Sequence, residues 1–458
     1  MEVTPFMWGI IMFGTALVIL LSGVPIWAGL AGTAILFILI MSPENMTVIP
    51  YVIYSSLDKF ALLSIPLFIF MAAPIAKSRA SFDLYEVIHR WLHWLPGGIG
   101  ISNIFGCAIF AALCGSSPAT AAAIGGVGIP EMRRRGYPAS FATGLIAVGG
   151  SLGILIPPSL TMIIYGVATE TSIGKLFIAG IIPGVMVTLI MAIYISCYFH
   201  FVVHRRQRRE PQEPQPVSNS EEAAAPQAPR EVGYTWKDRF VYLPRILPFI
   251  AIIFGVMGSL YLGWATPSEA AGVGAFLSLL FCVIIYRAYR PGMLKSIFGT
   301  AINESTMILM IMAAALFFGY ALSNAYATQA LAEGILGLPF GRWGIMIVIN
   351  IFLLILGMFI PPAAIILLVA PILLKIILPL GFDPIWFAVI MTLNLEIGLV
   401  TPPVGLNLYI VKAIAPDIPL SSVLWGALPF MLILLLGIVL VAVFPQLALW
   451  LPGLMIGK

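Results

Sequence analysis

The sequence predicts an all-α polytopic membrane protein whose second half repeats the first in the opposite orientation. Three observations lead there: a composition too apolar for water, ten apolar runs of spanning length, and landmarks that recur at a nearly fixed offset. Of 458 residues, 61% are hydrophobic and 9% charged, and mean hydropathy is +1.06. Soluble chains carry about 25% charged residues, so there is too little charge here to coat a water-facing surface. The formal net charge of +4 comes from scattered cations without a basic, aromatic-studded face, which argues against a nucleic-acid partner. The 43 glycines and 35 prolines suit membrane helices, where neighbouring helices re-satisfy freed backbone groups.

A spanning helix needs about 20 apolar residues, with roughly 17–25 tolerated. In chain order such runs fall near 6–22, 25–41, 60–76, 139–168, 173–200, 243–263, 267–286, 300–323, 385–412 and 420–444. The first begins at Phe6 without a basic leader and reads as a transmembrane helix, not a signal peptide. Two further stretches, 99–130 and 343–378, are interrupted midway by polar, Gly or Pro residues and are expected to be re-entrant helical hairpins. Such backbone survives at membrane depth only where protein or a water-filled cavity surrounds it. Ten crossings put both termini on one side. With that side outside, 18 of the 23 Lys and Arg residues fall inside, as the positive-inside rule requires.

Segment 204–240 opens with His204-Arg-Arg-Gln-Arg-Arg209 and continues Pro-, Glu-, Gln- and Ala-rich. It cannot bury a core and is expected to be a mostly disordered cytoplasmic linker, its arginines contacting lipid headgroups. Cys107, Cys114, Cys197 and Cys282 all lie in apolar stretches without a CxxC pair and read as small buried hydrophobes. His89 and His93, like His200 and His204, are four apart, but no carboxylate or thiol completes a transition-metal set. Trp91 and Trp94 mark the first pair as part of an interfacial amphipathic helix. Glu269 follows Thr266-Pro267-Ser268 as a capping box, and Glu304 is expected near a helix start at the inner interface.

The two sides of the linker resemble each other. Pro25 pairs with Pro267, Gly32 with Gly274, Gly115 with Gly357 and Pro130 with Pro371; further on, Gly136 pairs with Gly381, Phe141 with Trp386, Gly153 with Gly398 and Pro157-Pro158 with Pro402-Pro403. Gly180-x-x-Pro183 then meets Gly426-x-x-Pro429. Each half holds five crossings and one hairpin, and five is odd, so the second half is inverted. Inverted repeats with discontinuous helices are the sequence signature of a secondary transporter with its site at the midplane.

Four breaks point at that region: Gly115-Ser116-Ser117-Pro118-Ala119-Thr120, Gly153 to Ser159, Gly357-Met-Phe-Ile-Pro361-Pro362, and Asn394-Leu-Glu396-Ile-Gly398 through Thr401-Pro402-Pro403 to Asn407. Paired prolines remove amide donors and leave carbonyls free. Free carbonyls and side-chain oxygens suit a hard cation such as Na⁺, giving Ser116, Gly153, Pro157, Gly357, Pro361, Asn394, Gly398 and Pro402 as candidate cation contacts. Fresh helix starts at Thr120, Ser159 and Gly405 would present bare amides and partial positive charge to a carboxylate. Ser116, Ser117, Thr120, Ser159, Glu396, Thr401 and Asn407 are the candidate substrate contacts. Glu396 is the intramembrane acid beside the second break, where charge is costly and functional by default. No HExxH, P-loop or GxSxG motif appears, so neither hydrolysis nor ATP coupling has visible machinery, and the chain is not expected to be an enzyme.

The stretch GSSPATAAAIGGVGIPEMRRRGYPASFATGLIAVGGSLGILIPPS at 115–159, continuing to SIGKLFIAGIIPG at 172–184, resembles the large membrane subunit of tripartite ATP-independent periplasmic (TRAP) transporters. GFDPIWFAVIMTLNLEIGLVTPPVGLNLYIV at 381–411 is similar to that family's C-terminal motif. The resemblance implies a bacterial inner-membrane importer of organic acids driven by Na⁺, and in such a membrane the basic-residue count above puts both termini on the periplasmic side. It implies two partners, a periplasmic solute-binding protein and a small four-helix membrane subunit, expected here as a separate chain. It also implies an elevator. Hairpins and broken helices at 97–172 and 342–416 would then move against scaffold segments at 1–96, 173–203, 241–341 and 417–458. Family members commonly carry an acid before the proline of the second hairpin tip, where Ile360-Pro361-Pro362 has none. The alternatives are a symporter of related architecture working without a binding protein, an intramembrane enzyme acting on a lipid-linked substrate, and a non-transporting scaffold.

Overall fold

Helix starts fall where the sequence supplies caps. Thr266 and Glu269 close a capping box ahead of Pro267–Ile284, with 2.7 Å between Thr266 N and Glu269 Oε2 and a proline in the first turn. Asp383 accepts from the amides of Ile385 (2.7 Å) and Trp386 (3.2 Å) ahead of Pro384–Val400. The computed structural model describes residues 4–203 and 234–455, and among these the chain is helical without a strand.

Among the described residues, six helices are long and apolar enough to cross a membrane: Phe60–Lys77, Ile173–Phe201, Trp236–Tyr261, Pro267–Ile284, Pro291–Asn324 and Leu420–Val443. Ala139–Leu155 and Leu160–Thr169 form a further span, bent by 42° at its break. The shorter Pro5–Leu21 and Ile26–Met41, with the pair Pro384–Val400 and Leu406–Ile414, account for the remaining apolar runs. Gly98–Cys114 packs on Ser117–Arg134, and Arg342–Gly357 on Pro362–Ile377, so both interrupted stretches are helix–turn–helix hairpins.

Contacts between the halves are reciprocal. Ile26–Met41 packs on Pro291–Asn324, and Pro267–Ile284 on Ser64–Lys77. Leu160–Thr169 packs on the second arm of hairpin two, while Leu406–Ile414 packs on the second arm of hairpin one. Ile173–Tyr198 meets Pro384–Val400, and Leu420–Val443 meets Ala139–Gly149. Such an exchange of like surfaces is what a two-fold related pair makes. Polar atoms tie the halves at two points, where Ser278 Oγ donates to the Met71 carbonyl (2.6 Å) and Tyr165 OH to the Pro384 carbonyl (2.9 Å), and within the second half Trp386 Nε1 donates to the Val441 carbonyl (2.8 Å).

Several expectations change. The linker expected over 204–240 lies mostly outside the described residues, but its end is ordered: Thr235 and Asp238 form a capping box, and Trp236–Tyr242 is helical. Its aromatic residues anchor it, with Arg90 of the interfacial helix Ala80–Leu92 stacked 3.4 Å over the Tyr242 ring. Glu304 is not at a helix start. The helix begins at Pro291, thirteen residues earlier, which sets Glu304 about 20 Å along the axis, exposed and near the Lys77 charge. Cys197 is exposed, whereas the other three cysteines are buried.

Ile173–Tyr198 packs on Gly98–Cys114, and Leu420–Val443 packs closely on Ala139–Gly149. The reason is backbone contact: a Cβ on Gly144 would overlap the Gly426 backbone, and one on Gly426 would overlap the Ser140 carbonyl. Only glycine at both positions permits that approach.

Two predictions follow from this packing and from the buried imidazole of His89. Gly426→Ala should force the crossing helices apart and cost about 1–3 kcal/mol, whereas Gly258→Ala, with nothing within 4 Å of the new Cβ, should be neutral or stabilising. Thermal unfolding of the detergent-solubilised chain compares them. Burial first, then the Arg135, His93 and Arg90 charges, pushes His89 down to about 4. The folded imidazole stays neutral down to that pH while the unfolded one accepts a proton below about 6.5. Stability should therefore fall as pH drops from about 6.5 toward 4, less steeply in His89→Phe.

Candidate functional site

Hairpin one turns at Gly115, whose φ of 59° is left-handed; a Cβ there would also meet the Pro158 carbonyl at 2.8 Å. The tip thus lies against the first Pro-Pro break, and the Gly115 carbonyl accepts from Leu160 N at 3.3 Å. Hairpin two does the same at the second break, where the Met358 carbonyl accepts from Val404 N at 3.2 Å. Glycines allow both approaches. A Cβ on Gly153 would meet the Ser116 carbonyl at 2.6 Å, and one on Gly398 would meet the Gly357 backbone at 2.6 Å. Pro157-Pro158 and Pro402-Pro403 are both joined by cis peptide bonds.

The two breaks meet around a carboxylate. Ser117 Oγ, in the first turn of hairpin one's second arm, donates to Glu396 Oε2 at 3.2 Å. Asn407 Nδ2, just past the second break, donates to Ser117 Oγ at 2.8 Å and to the Ala147 carbonyl at 3.0 Å. Ser151 lies beside the same carboxylate but outside good hydrogen-bond geometry. All four of these polar side chains are buried, Glu396 completely. Glu396 Oε1 and Asn407 Oδ1 have no hydrogen-bond partner among the described residues, and no Lys, Arg or His pairs with Glu396 there. A buried carboxylate left this way is costly unless a proton or a cation joins it.

Ser116, Ser117, Thr120 and Gly153 gather at hairpin one's tip, with the Ser116 carbonyl accepting from Thr120 Oγ1 at 2.8 Å. Ser117 links that group to Glu396 and Asn407. The helix of the second arm starts at Ser117, not at Thr120. Ser159 is spent inside the first break: its hydroxyl donates to the Ile154 carbonyl (2.6 Å) and accepts from Met162 N (3.4 Å), so that helix start offers no bare cap. Gly405 precedes a helix with no side-chain cap, as expected. Thr401 bonds back to the Ile397 carbonyl at 2.6 Å. Asn394 turns away to hairpin two's first arm, donating to the Asn350 carbonyl and Oδ1, each at 2.9 Å. Gly357 and Gly398 touch each other, Pro157 is buried, and Pro361, Pro402 and Pro403 are exposed. Ser151, Ala147 and Asn350 are the neighbours sequence reasoning missed; only Ser151 carried a signal, as the polar end of Gly149-Gly150-Ser151 ahead of the break.

Residues 13–447 match the family described as the tripartite ATP-independent periplasmic transporter, DctM component. The chain belongs to this TRAP family, as its large membrane subunit. The C4-dicarboxylate TRAP transporter large permease protein DctM of Pseudomonas aeruginosa is 35% identical over 425 residues, covering 93% of each chain. The sialic acid TRAP large permease SiaM of Vibrio cholerae is 30% identical, covering 96% of this chain and 97% of that one. The isethionate TRAP permease DctMQ of Oleidesulfovibrio alaskensis is 31% identical over 97% of this chain, which spans 66% of that longer protein. The crystal structure of the Alcanivorax borkumensis YdaH transporter, described as having an unusual topology, shares the fold, with a TM-score of 0.59 at 14% identity over 96% of this chain and 98% of that one. This TRAP subunit is thus a multi-pass membrane transporter component and not an enzyme. TRAP membership brings with it a periplasmic binding protein and a small membrane subunit.

In this TRAP subunit the two glycine approaches hold the hairpin tips to the breaks. Gly153→Ala and Gly398→Ala should each displace a tip and abolish most solute uptake by the full assembly. Ser159→Ala, which removes only a local cap worth about 1 kcal/mol, should keep most uptake while lowering the unfolding temperature.

Proposed function

We propose that this TRAP large subunit imports a carboxylated organic solute together with Na⁺, taking the solute from a periplasmic binding protein and carrying it by elevator-type alternating access. The observation that carries the reading is the buried carboxylate of Glu396, which no Lys, Arg or His among the described residues pairs with, reached from hairpin one by Ser117 and in hydrogen-bonded series by Asn407. Among the described residues its hydrogen-bonded neighbourhood is built from hydroxyl, amide and carbonyl groups, whose oxygens suit a hard cation. Glu396, Asn407 and Ser117 would hold the ion, with the carbonyl of Ser116 beside them. The ion would supply the missing counter-charge.

The uncapped start of Leu406–Ile414 leaves amide donors and helix-dipole charge for the solute's carboxylate. The solutes named for the relatives, a C4-dicarboxylate, sialic acid, ectoine and isethionate, all carry a carboxylate or sulfonate, which supports the class without choosing among its members. The reciprocal packing supports halves that lie antiparallel in the inner membrane. In the elevator, residues 97–198 and 342–443 form the moving body, since their contacts run through the two breaks. The small subunit is taken as a separate chain, and both termini as periplasmic.

Uptake into proteoliposomes by the complete three-part assembly tests the reading. An inward Na⁺ gradient should drive it, and Glu396→Gln should lower it at least tenfold with folding intact. Uptake driven by a pH gradient alone would replace Na⁺ by a proton on Glu396. Uptake of free solute by the lone chain would remove the binding protein from the cycle.

A further inference from the structure

A cavity lies apart from the Glu396 site, sharing none of its residues. It is a slot of about 430 Å³ between Pro5–Leu21 and Ala327–Leu336 on one wall and both arms of hairpin two on the other. Every residue lining it is apolar, among them Phe13 and Leu17 on the first helix and Phe352 and Leu373 on the hairpin arms. Ile360, at the hairpin tip, lines it too, and its side chain is buried. The wall on the first helix runs from Ile10 to Leu20, about 15 Å along the axis.

The chemistry of the walls selects the occupant. Water needs two to four polar partners, and apolar cavities of about 150 Å³ stay dry and take apolar guests; this one is nearly three times larger and offers water nothing. The slot continues onto the outer face of the protein, where Ile10, Val348 and Phe352 are exposed. In a membrane protein the solvent at that face is hydrocarbon.

We infer that the slot is a lipid site, holding one acyl chain of a bilayer phospholipid with its end toward Ile360. The tail fills space that the first helix leaves open because Gly14 lacks a side chain; a Cβ there meets nothing within 4 Å. On the elevator reading above, the tail lies between the fixed and moving bodies and hairpin two slides along it. Occupancy itself does not rest on that reading.

The test uses full-length chain in proteoliposomes containing phosphatidylcholine with a diazirine midway along one acyl chain. After illumination, mass spectrometry should find labelled residues on the Leu17 and Phe352 faces. Gly14→Leu, which fills the slot with a better helix former, should cut that labelling at least fivefold while labelling at the exposed Leu432 and Leu435 stays unchanged. Leu17→Trp serves as a second filling variant should Gly14→Leu not fold. Slot labelling no stronger than background, or undiminished in a folded filling variant, overturns the site. Because labelling needs no transport, this outcome is separate from any failure of Na⁺-driven uptake.

Discussion

In hydrocarbon, a backbone carbonyl or amide released by a helix break has no water to turn to and must find its partner within the protein. That constraint organises this subunit. The Gly115 carbonyl is returned to Leu160 and the Met358 carbonyl to Val404, so each interrupted hairpin is bound to the broken helix that follows it. The pairing needs two chains at backbone distance, which the glycines at 153 and 398 provide. Once the tips are held there, Ser117 is carried to Glu396 across 279 positions of sequence. The carboxylate is a consequence of the way the breaks are closed, not an independent addition.

Much of this was legible in the sequence because the signals are local. Apolar runs, caps such as Thr266 with Glu269, and Pro-Pro breaks each act within a few residues, and every expected run and hairpin has its helix. Ser117, Glu396 and Asn407 stood out because polar groups are rare in so apolar a background. What stayed hidden depends on contacts between distant segments. Asn394 looked like a cation ligand until Asn350 was placed opposite it. Ser159 looked like an open helix start, but its hydroxyl is used within its own break. The association of Leu420–Val443 with Ala139–Gly149 hangs on Gly144 and Gly426, and nothing in a string of residues says that two glycines meet. Trp236–Tyr242 was absorbed into a polar linker because its stabilising partner, Arg90, lies on another element.

The acid missing at Ile360 fits the same picture. That side chain turns into the apolar slot and packs among hydrocarbon, where a charge would go unanswered. The tip of hairpin two thus faces the first helix across apolar surface.

The breaks themselves differ in one respect: Pro157 and Pro158 are buried, whereas Pro402 and Pro403 are open. Of the two paired-proline breaks, the second is therefore the one open to contact from outside the protein in this arrangement.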